Sequence, residues 1–523
     1  MSILDESLSQ NKALFADEAP SRPFTIPALK EWNSRPEATY TFSAQTRIIS
    51  IPELSQVASV LAQDLERLSG YTLAIVEAAP QNGDIVLALQ DIDASLGEEG
   101  YLLNVADVVT ISARTESGVF YGTRTLLQLL TQDYTIRGGE ARDWPDYPQR
   151  ALMVDVGRKF FSIEWLENHI RELAYFKYNV FQLHLTDTHG FRLESETHPE
   201  ITSPEHYTKA QIRELVKLAQ DYYITIIPEI DMPAHMQPIL AKHPELQLTG
   251  PLENRVPGEH GPDELILERR PDYLAKDPDK MRRVGDIDLS NPAAYELAKE
   301  IIEEYLDLFP GPYWHVGADE YLLFDNYENY PKLLEYARKT YGPTANGRDA
   351  YLGFVNWANK LIKSHGKITR AWSDGLHGGS AVTIDSDIIF DHWRTFGLLP
   401  EAIVAGGSQI VNSSYDDLYY ILTENGVHHA DPVKLYERFE PHMFQENHVI
   451  EPNHHLNLGA KLHIWCDVPE LVPEQQITKD IQGSLRALAQ KNWGSPRLVE
   501  SYEAFQPIMA QVGHAPGYTL DKA

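Results

Sequence analysis

The sequence predicts an α/β protein, a (β/α)8 TIM barrel preceded by a small α+β domain. Three observations predict it. From Pro148 onward, short apolar strands alternate with helical patterns, the rhythm of a parallel sheet covered by helices. Eight such strands can be picked out, the number that closes a barrel. Carboxylates then recur at or just past the strand ends, at Asp187, Asp231, Asp319, Glu320, Asp374 and Asp467, where barrel enzymes carry their chemistry.

In chain order, residues 1–22 form a polar lead-in. A helix is expected from Glu53 to Leu68, closed by Gly70. Short strands follow at Thr72–Glu77, Ile85–Leu89, Tyr101–Val105 and Val108–Ala113, with Asn82-Gly83-Asp84 turning between the first two. A second helix runs from Gly118 to Leu130. Gly138-Gly139 and Trp144-Pro145-Asp146-Tyr147-Pro148 punctuate the end of this region. The boundaries are therefore 1–147 for the first domain and 148–523 for the barrel.

The barrel strands are expected at Ala151–Val156, Asn179–Leu185, Ile224–Ile230, Tyr313–Gly317, Ile368–Trp372, Ile388–Trp393, Gln409–Asn412 and Lys461–Trp465. Ser162 caps a helix whose Leu166, Ile170 and Leu173 share one face, and Asn291-Pro292 opens another. A doubly wound sheet has the same alternation and is the competing architecture. The stretch from Ala241 to Val284 is long for a strand-to-helix connection and rich in charge and proline, the mark of a functional loop or a solvated decoration.

Composition narrows the function. Hydrophobic residues make up 43% of 523, enough for a sizeable core. A net charge of −31 argues against nucleic acid or an anionic membrane as partner. The single cysteine, Cys466, offers neither an internal disulfide nor a metal framework. No basic leader precedes an apolar run and no stretch is long enough to span a membrane, so the expected location is cytoplasmic, or secreted if a signal has been removed. Histidines crowd at His428-His429, His442, His448 and His454-His455, but without HExxH spacing, so no metal is expected. Gly406-Gly407 precedes its strand, the wrong side for a phosphate cradle, and no cofactor is expected.

Chemistry concentrates in Trp314-His315-Val316-Gly317-Ala318-Asp319-Glu320 at the end of the fourth strand. Adjacent carboxylates oppose joint ionisation, so pairing them beside a buried histidine is costly without a use. Neighbouring side chains on a strand point apart, so both acids can reach one substrate only if the backbone bends there.

His315-Val316-Gly317-Ala318-Asp319-Glu320 resembles the H-x-G-[GA]-D-E signature of family 20 glycoside hydrolases, the β-N-acetylhexosaminidases. In order along the chain, Arg150 to Arg158 is similar to the family's first strand, His184-Leu185-Thr186-Asp187 to its second, and Ile227 to His235 to its third. The resemblance covers about 148–510, and the preceding domain also resembles the family's N-terminal domain. It implies a retaining exo-hydrolase acting on an oligosaccharide or glycoconjugate with a terminal β-linked GlcNAc or GalNAc, through an oxazolinium formed by the substrate's own acetamido group. It implies Glu320 as general acid and base, Asp319 as the group orienting the acetamido N–H, and Asp187 with His235 as the pair behind Glu320. It also implies Trp372, Trp393 and Trp465 as the sugar pocket's walls, Tyr419 on the acetamido carbonyl, Arg150 on the C3 and C4 hydroxyls, and Asp467 on the C4 or C6 hydroxyl.

Two positions depart from the family pattern. Trp465-Cys466-Asp467 stands where many members have Trp-Gly-Glu, and Ile421 stands where some have an acid. Shorter polar reach leaves open the lacto-N-biosidase branch, which releases Galβ1-3GlcNAc. A carbohydrate-binding protein without turnover would keep the tryptophans and lose the acids, which are both present. Oligomeric state is not set by the sequence.

Overall fold

The structure is a computed structural model that describes residues 22–248, 285–322, 327 and 330–520. Most of the 241–284 connection lies outside the described residues. Contacts divide the chain into two units, one of residues up to Pro145 with Ser495–Gly517, the other of Asp146–Gly494 with the last residues. The C-terminal helix Tyr502–Val512 thus belongs with the first unit, where it packs on the helix Glu116–Gln132.

The first unit is one mixed sheet of seven strands with two helices of its own. The helix Ser55–Ser69 buries Val57, Leu61 and Leu65 on one side and ends at Gly70, whose φ of 76° suits the left-handed stop. Ile85–Leu89 and Tyr101–Val105 form as expected. Three strands were not foreseen: the short Arg47–Ile49, and Glu31–Thr41 with Thr135–Asp143, which pair antiparallel at one edge. Glu31–Thr41 is largely exposed and contains Pro36, so it carries no apolar alternation. Gly138 and Gly139 lie inside Thr135–Asp143, because a side chain at Gly139 would run into the Trp32 ring opposite.

In the second unit all eight expected strands form: β1 (Ala151–Asp155), β2 (Val180–His184), β3 (Thr225–Met232), β4 (Tyr313–Gly317), β5 (Ile368–Trp372), β6 (Ile389–His392), β7 (Ile410–Asn412) and β8 (Asn457–Trp465). Each is parallel to the next, and β8 pairs with β1 through Lys461 opposite Ala151. That closure excludes the open doubly wound sheet. The strands are buried on both faces, which is why they read as largely apolar runs. Ser162 accepts from Trp165 N–H and Asn291 from Ala293 N–H, capping the helices Ile163–Tyr175 and Pro292–Tyr305. A hairpin, Tyr419–Thr423 with Gly426–His428, shares the last gap with β7. β7 pairs with the lower half of β8, while Tyr419–Ile421 pairs with His463–Trp465 at its upper end. That arrangement carries Tyr419 and Ile421 to the catalytic face. Among the described residues no helix is long and apolar enough to cross a membrane.

Candidate active site

The bend required after β4 is present. Gly317, Ala318 and Glu320 have φ of 69°, 61° and 55°, a region costly for residues with a side chain. At Gly317 nothing but glycine fits, since a Cβ would stand 1.8 Å from Asp231 Oδ1. Carboxylates pin the bend from both neighbouring strands. Ala318 N–H donates to Asp231 Oδ1 (3.1 Å) from β3, and Glu320 N–H to Asp374 Oδ2 (2.9 Å) just beyond β5. The Tyr351 hydroxyl holds the Ala318 carbonyl. The strain is thus held by groups on rigid strands, and both acids turn toward the barrel mouth.

His235 joins the acids to the second strand. Its Nε2 lies 3.3 Å from Glu320 Oε2 and 3.5 Å from Asp319 Oδ2, and its Nδ1 lies 3.3 Å from Asp187 Oδ1. Asp187 Oδ2 in turn meets His184 Nε2 at 2.7 Å and the Arg158 guanidinium at 2.9 Å. His184 Nδ1 lies 3.1 Å from Glu229, whose other oxygen accepts the Trp372 indole N–H at 2.7 Å. A chain of alternating charge therefore runs from the acid at the mouth to a tryptophan of the pocket wall. Burial alone would discharge these histidines, but the carboxylates on either side push His184 up to about 10 and hold His235 well above its ordinary range. Burial works against ionisation of Asp187 too, yet Arg158, His235 and His184 keep its carboxyl well below the usual range.

Around the acids the opposite holds. Burial and the neighbouring Asp319 push the Asp231 carboxyl well above its usual range. Asp374, buried and close to Asp319, is pushed up to about 8. Asp319 is itself raised by burial, a shift that His235 and Asp231 oppose. The mouth holds more negative charge than its cations balance.

Beside the acids lies an aromatic pocket. Trp372, Trp393, Trp465 and Tyr419 form one buried cluster with Met153 and Ile421, with Phe396 and Tyr415 packed against it. Trp393 and Tyr419 lie parallel, ring centroids 6.3 Å apart, and Trp372 and Trp465 are tilted at 5.7 Å. Trp393 is anchored by its indole N–H on Asp374 Oδ1 at 2.7 Å. One carboxyl therefore fixes both the Glu320 backbone and a pocket wall.

Arg150 is a correction. It precedes the first residue of β1, so it sits at the N-terminal face, a strand's length of about 16 Å from the mouth. There its guanidinium donates to the carbonyls of Lys177 and Tyr147 and lies over the Trp493 ring. The arginine at the mouth is Arg158, three residues past the end of β1. It bonds Asp155 at 2.9 Å and Asp187 at 2.9 Å, and lies 3.9 Å from Asp467. Arg158 obeys the strand-end rule that located the acids, which was the signal available in the sequence. Asp467 lies just past β8 with its side chain 55% exposed, open space on its outer side. His184 and Glu229 were given no role on sequence, and Asp231 and Asp374 were read only as strand-end acids.

A family model described as glycosyl hydrolase family 20, catalytic domain, matches residues 147–496, more than half of the chain. The chain belongs to glycosyl hydrolase family 20. Residues 22–144 match domain 2 of the same family. A lacto-N-biosidase of Bifidobacterium bifidum is 28% identical over 94% of this chain and 42% of its own length. A β-hexosaminidase of Porphyromonas gingivalis is 30% identical over 64% of this chain and 43% of its own. The chain thus spans less than half the length of these two family 20 relatives. The solved structure of a family 20 exo-β-N-acetylglucosaminidase from Vibrio harveyi, in complex with N-acetylglucosamine, has a TM-score of 0.73. It is 23% identical, with 96% of this chain and 80% of that one covered, and shares the fold.

Proposed function

We propose that the chain is a retaining β-N-acetylhexosaminidase that hydrolyses terminal β-linked GlcNAc or GalNAc using the substrate's acetamido oxygen as nucleophile. The observation that carries this is the placing of Asp319 and Glu320 on one strained bend, both within reach of His235 and beside a buried cluster of aromatic side chains. Glu320 gives its proton to the glycosidic oxygen as the C1–O bond breaks, and the acetamido oxygen bonds to C1. Asp319 accepts the acetamido N–H and faces the positive charge that the oxazolinium spreads over the ring. Water, losing a proton to Glu320, then attacks C1 from the vacated face, which returns the β configuration. Tethering the nucleophile to the sugar removes the entropy a separate nucleophile would lose. The aromatic walls cover the apolar faces of the ring and the acetamido methyl.

A second reading, release of a Galβ1-3GlcNAc disaccharide, is favoured by Asp467, which is shorter than the usual glutamate and open on its outer side. The 28% identity to a lacto-N-biosidase over 94% of the chain supports it as well. Comparing p-nitrophenyl β-GlcNAc with the p-nitrophenyl glycoside of Galβ1-3GlcNAc separates the two. Fast release from the monosaccharide alone supports the hexosaminidase, release from the disaccharide alone replaces it with the biosidase, and neither overturns both.

A further inference from the structure

In the loops that follow β2 and β3, two His-Pro-Glu tripeptides meet, His198-Pro199-Glu200 and His243-Pro244-Glu245. Each opens a short 3-10 turn with the histidine at its N-cap and proline at the first position. The imidazoles stand edge to face, ring centroids 5.9 Å apart. One oxygen of Glu200, Oε1, lies 3.2 Å from His198 Nδ1 and 3.0 Å from His243 Nε2. All three donor atoms lie within 4.8 Å of one another. Tetrahedral zinc, with bonds of about 2.0–2.1 Å, keeps its donors about 3.4 Å apart, so the spacing already approaches that of a loaded site.

A fourth residue makes the cluster more than a chance meeting of surface charges. The outer nitrogen of His198, Nε2, lies 3.0 Å from Glu300 Oε2 on the helix Pro292–Tyr305. An N–H donated to Glu300 fixes the tautomer and leaves the Nδ1 lone pair directed at Glu200, the arrangement that orients metal-bound histidines. A doubly protonated His198 would donate to both carboxylates, whereas a cation on Glu200 would select the tautomer that turns the Nδ1 lone pair toward it. The same Glu200 oxygen faces the second imidazole. The crowded histidines that the sequence drew attention to behave differently. His428 stacks on Tyr415, His429 meets the edge of Tyr420, and His454 stacks on His455, and none of them joins a ligand cluster among the described residues.

We propose that His198 Nδ1, His243 Nε2 and a carboxylate oxygen of Glu200 form a binding site for a zinc-class divalent cation, with Glu300 orienting His198. Two imidazoles and one carboxylate select a borderline ion such as zinc over magnesium or calcium, which take oxygen shells. The ion ties the loop after β2 to the loop after β3. It is a structural site, distinct from Asp319 and Glu320.

The test is made on the full chain, stripped with a chelator, reloaded with zinc chloride and desalted. The expected result is one zinc per chain by elemental analysis, with a Tm that climbs as zinc is added. His243→Gln and Glu200→Gln lose stoichiometric zinc, and Glu300→Gln binds it about 10-fold more weakly. A double variant, His454→Gln with His455→Gln, keeps it. Wild-type protein that retains no zinc and shows no zinc-dependent Tm overturns the site, whatever the variants do. Full zinc retention by the His198→Gln, His243→Gln double variant overturns it equally.

Discussion

The floor and the mouth of the barrel are both packed with buried charge, and they treat it in opposite ways. At the floor, Asp391 meets Arg370 at 2.6 Å, Lys461 at 2.6 Å and His315 at 2.9 Å, and Lys461 also donates to Gln182. Burial opposes its ionisation, yet Arg370 and Lys461, with the His315 hydrogen bond, hold the Asp391 carboxyl well below its usual range. At the mouth, among the described residues, seven carboxyl groups, Asp155, Asp187, Asp231, Asp319, Glu320, Asp374 and Asp467, face three cations, Arg158, His184 and His235. Asp374 is pushed up to about 8 and Asp231 well above its usual range, although both accept backbone N–H groups. A floor so compensated is locked by short ion pairs, although burial draws Lys461 down to about 8. A mouth left short of positive charge is preorganised for a substrate that develops it.

The largest effect expected is at the mouth. Glu320→Gln should lower kcat about 10³-fold on substrates with poor leaving groups and much less on p-nitrophenyl glycosides. Asp319→Asn should lower both alike, by about 10²-fold or more. Equal losses across leaving groups for Glu320→Gln would take away its role as acid. At the floor the damage should fall on stability. Lys461→Met leaves Asp391 short of a partner and should cost about 3–5 kcal/mol in denaturant unfolding, while KM at a temperature where the variant is folded stays unchanged.

The two arginines sharpen the contrast at smaller scale. Arg158→Gln should lower kcat/KM about 10- to 100-fold, the worth of charged hydrogen bonds at the mouth. Arg150→Gln should leave KM alone and lower stability by about 1–3 kcal/mol. A rise in KM from Arg150→Gln would restore its sugar-binding role. A further effect concerns pH. Asp374 binds its proton up to about 8 in the folded chain but only to about 3.9 unfolded, so stability falls as pH rises from about 4 to 8. Asp374→Asn, which cannot ionise, should flatten that fall in Tm. An unchanged pH slope would remove Asp374 from the charged cluster.

Much of the barrel was legible because parallel strands buried on both faces are mostly apolar, and chain direction then says which end each side chain serves. The same rule was misapplied once, at Arg150, which precedes its strand. The polar edge strand Glu31–Thr41 escaped because an exposed edge leaves no hydrophobic period to read. Asp231 and Asp374 were visible as strand-end acids. Their work, pinning the bend at Ala318 and Glu320, depends on which strands become neighbours.

By itself the sequence determined the eight strands, their helical connections and the family motif at Asp319-Glu320, because periodicity and local turn chemistry are written in adjacent residues. Only the tertiary structure decided which arginine stands at the mouth, which carboxyls are pushed above their usual range, and that His198 and His243 meet. Those outcomes depend on distances between residues far apart in the chain, and on burial, which no single segment possesses alone.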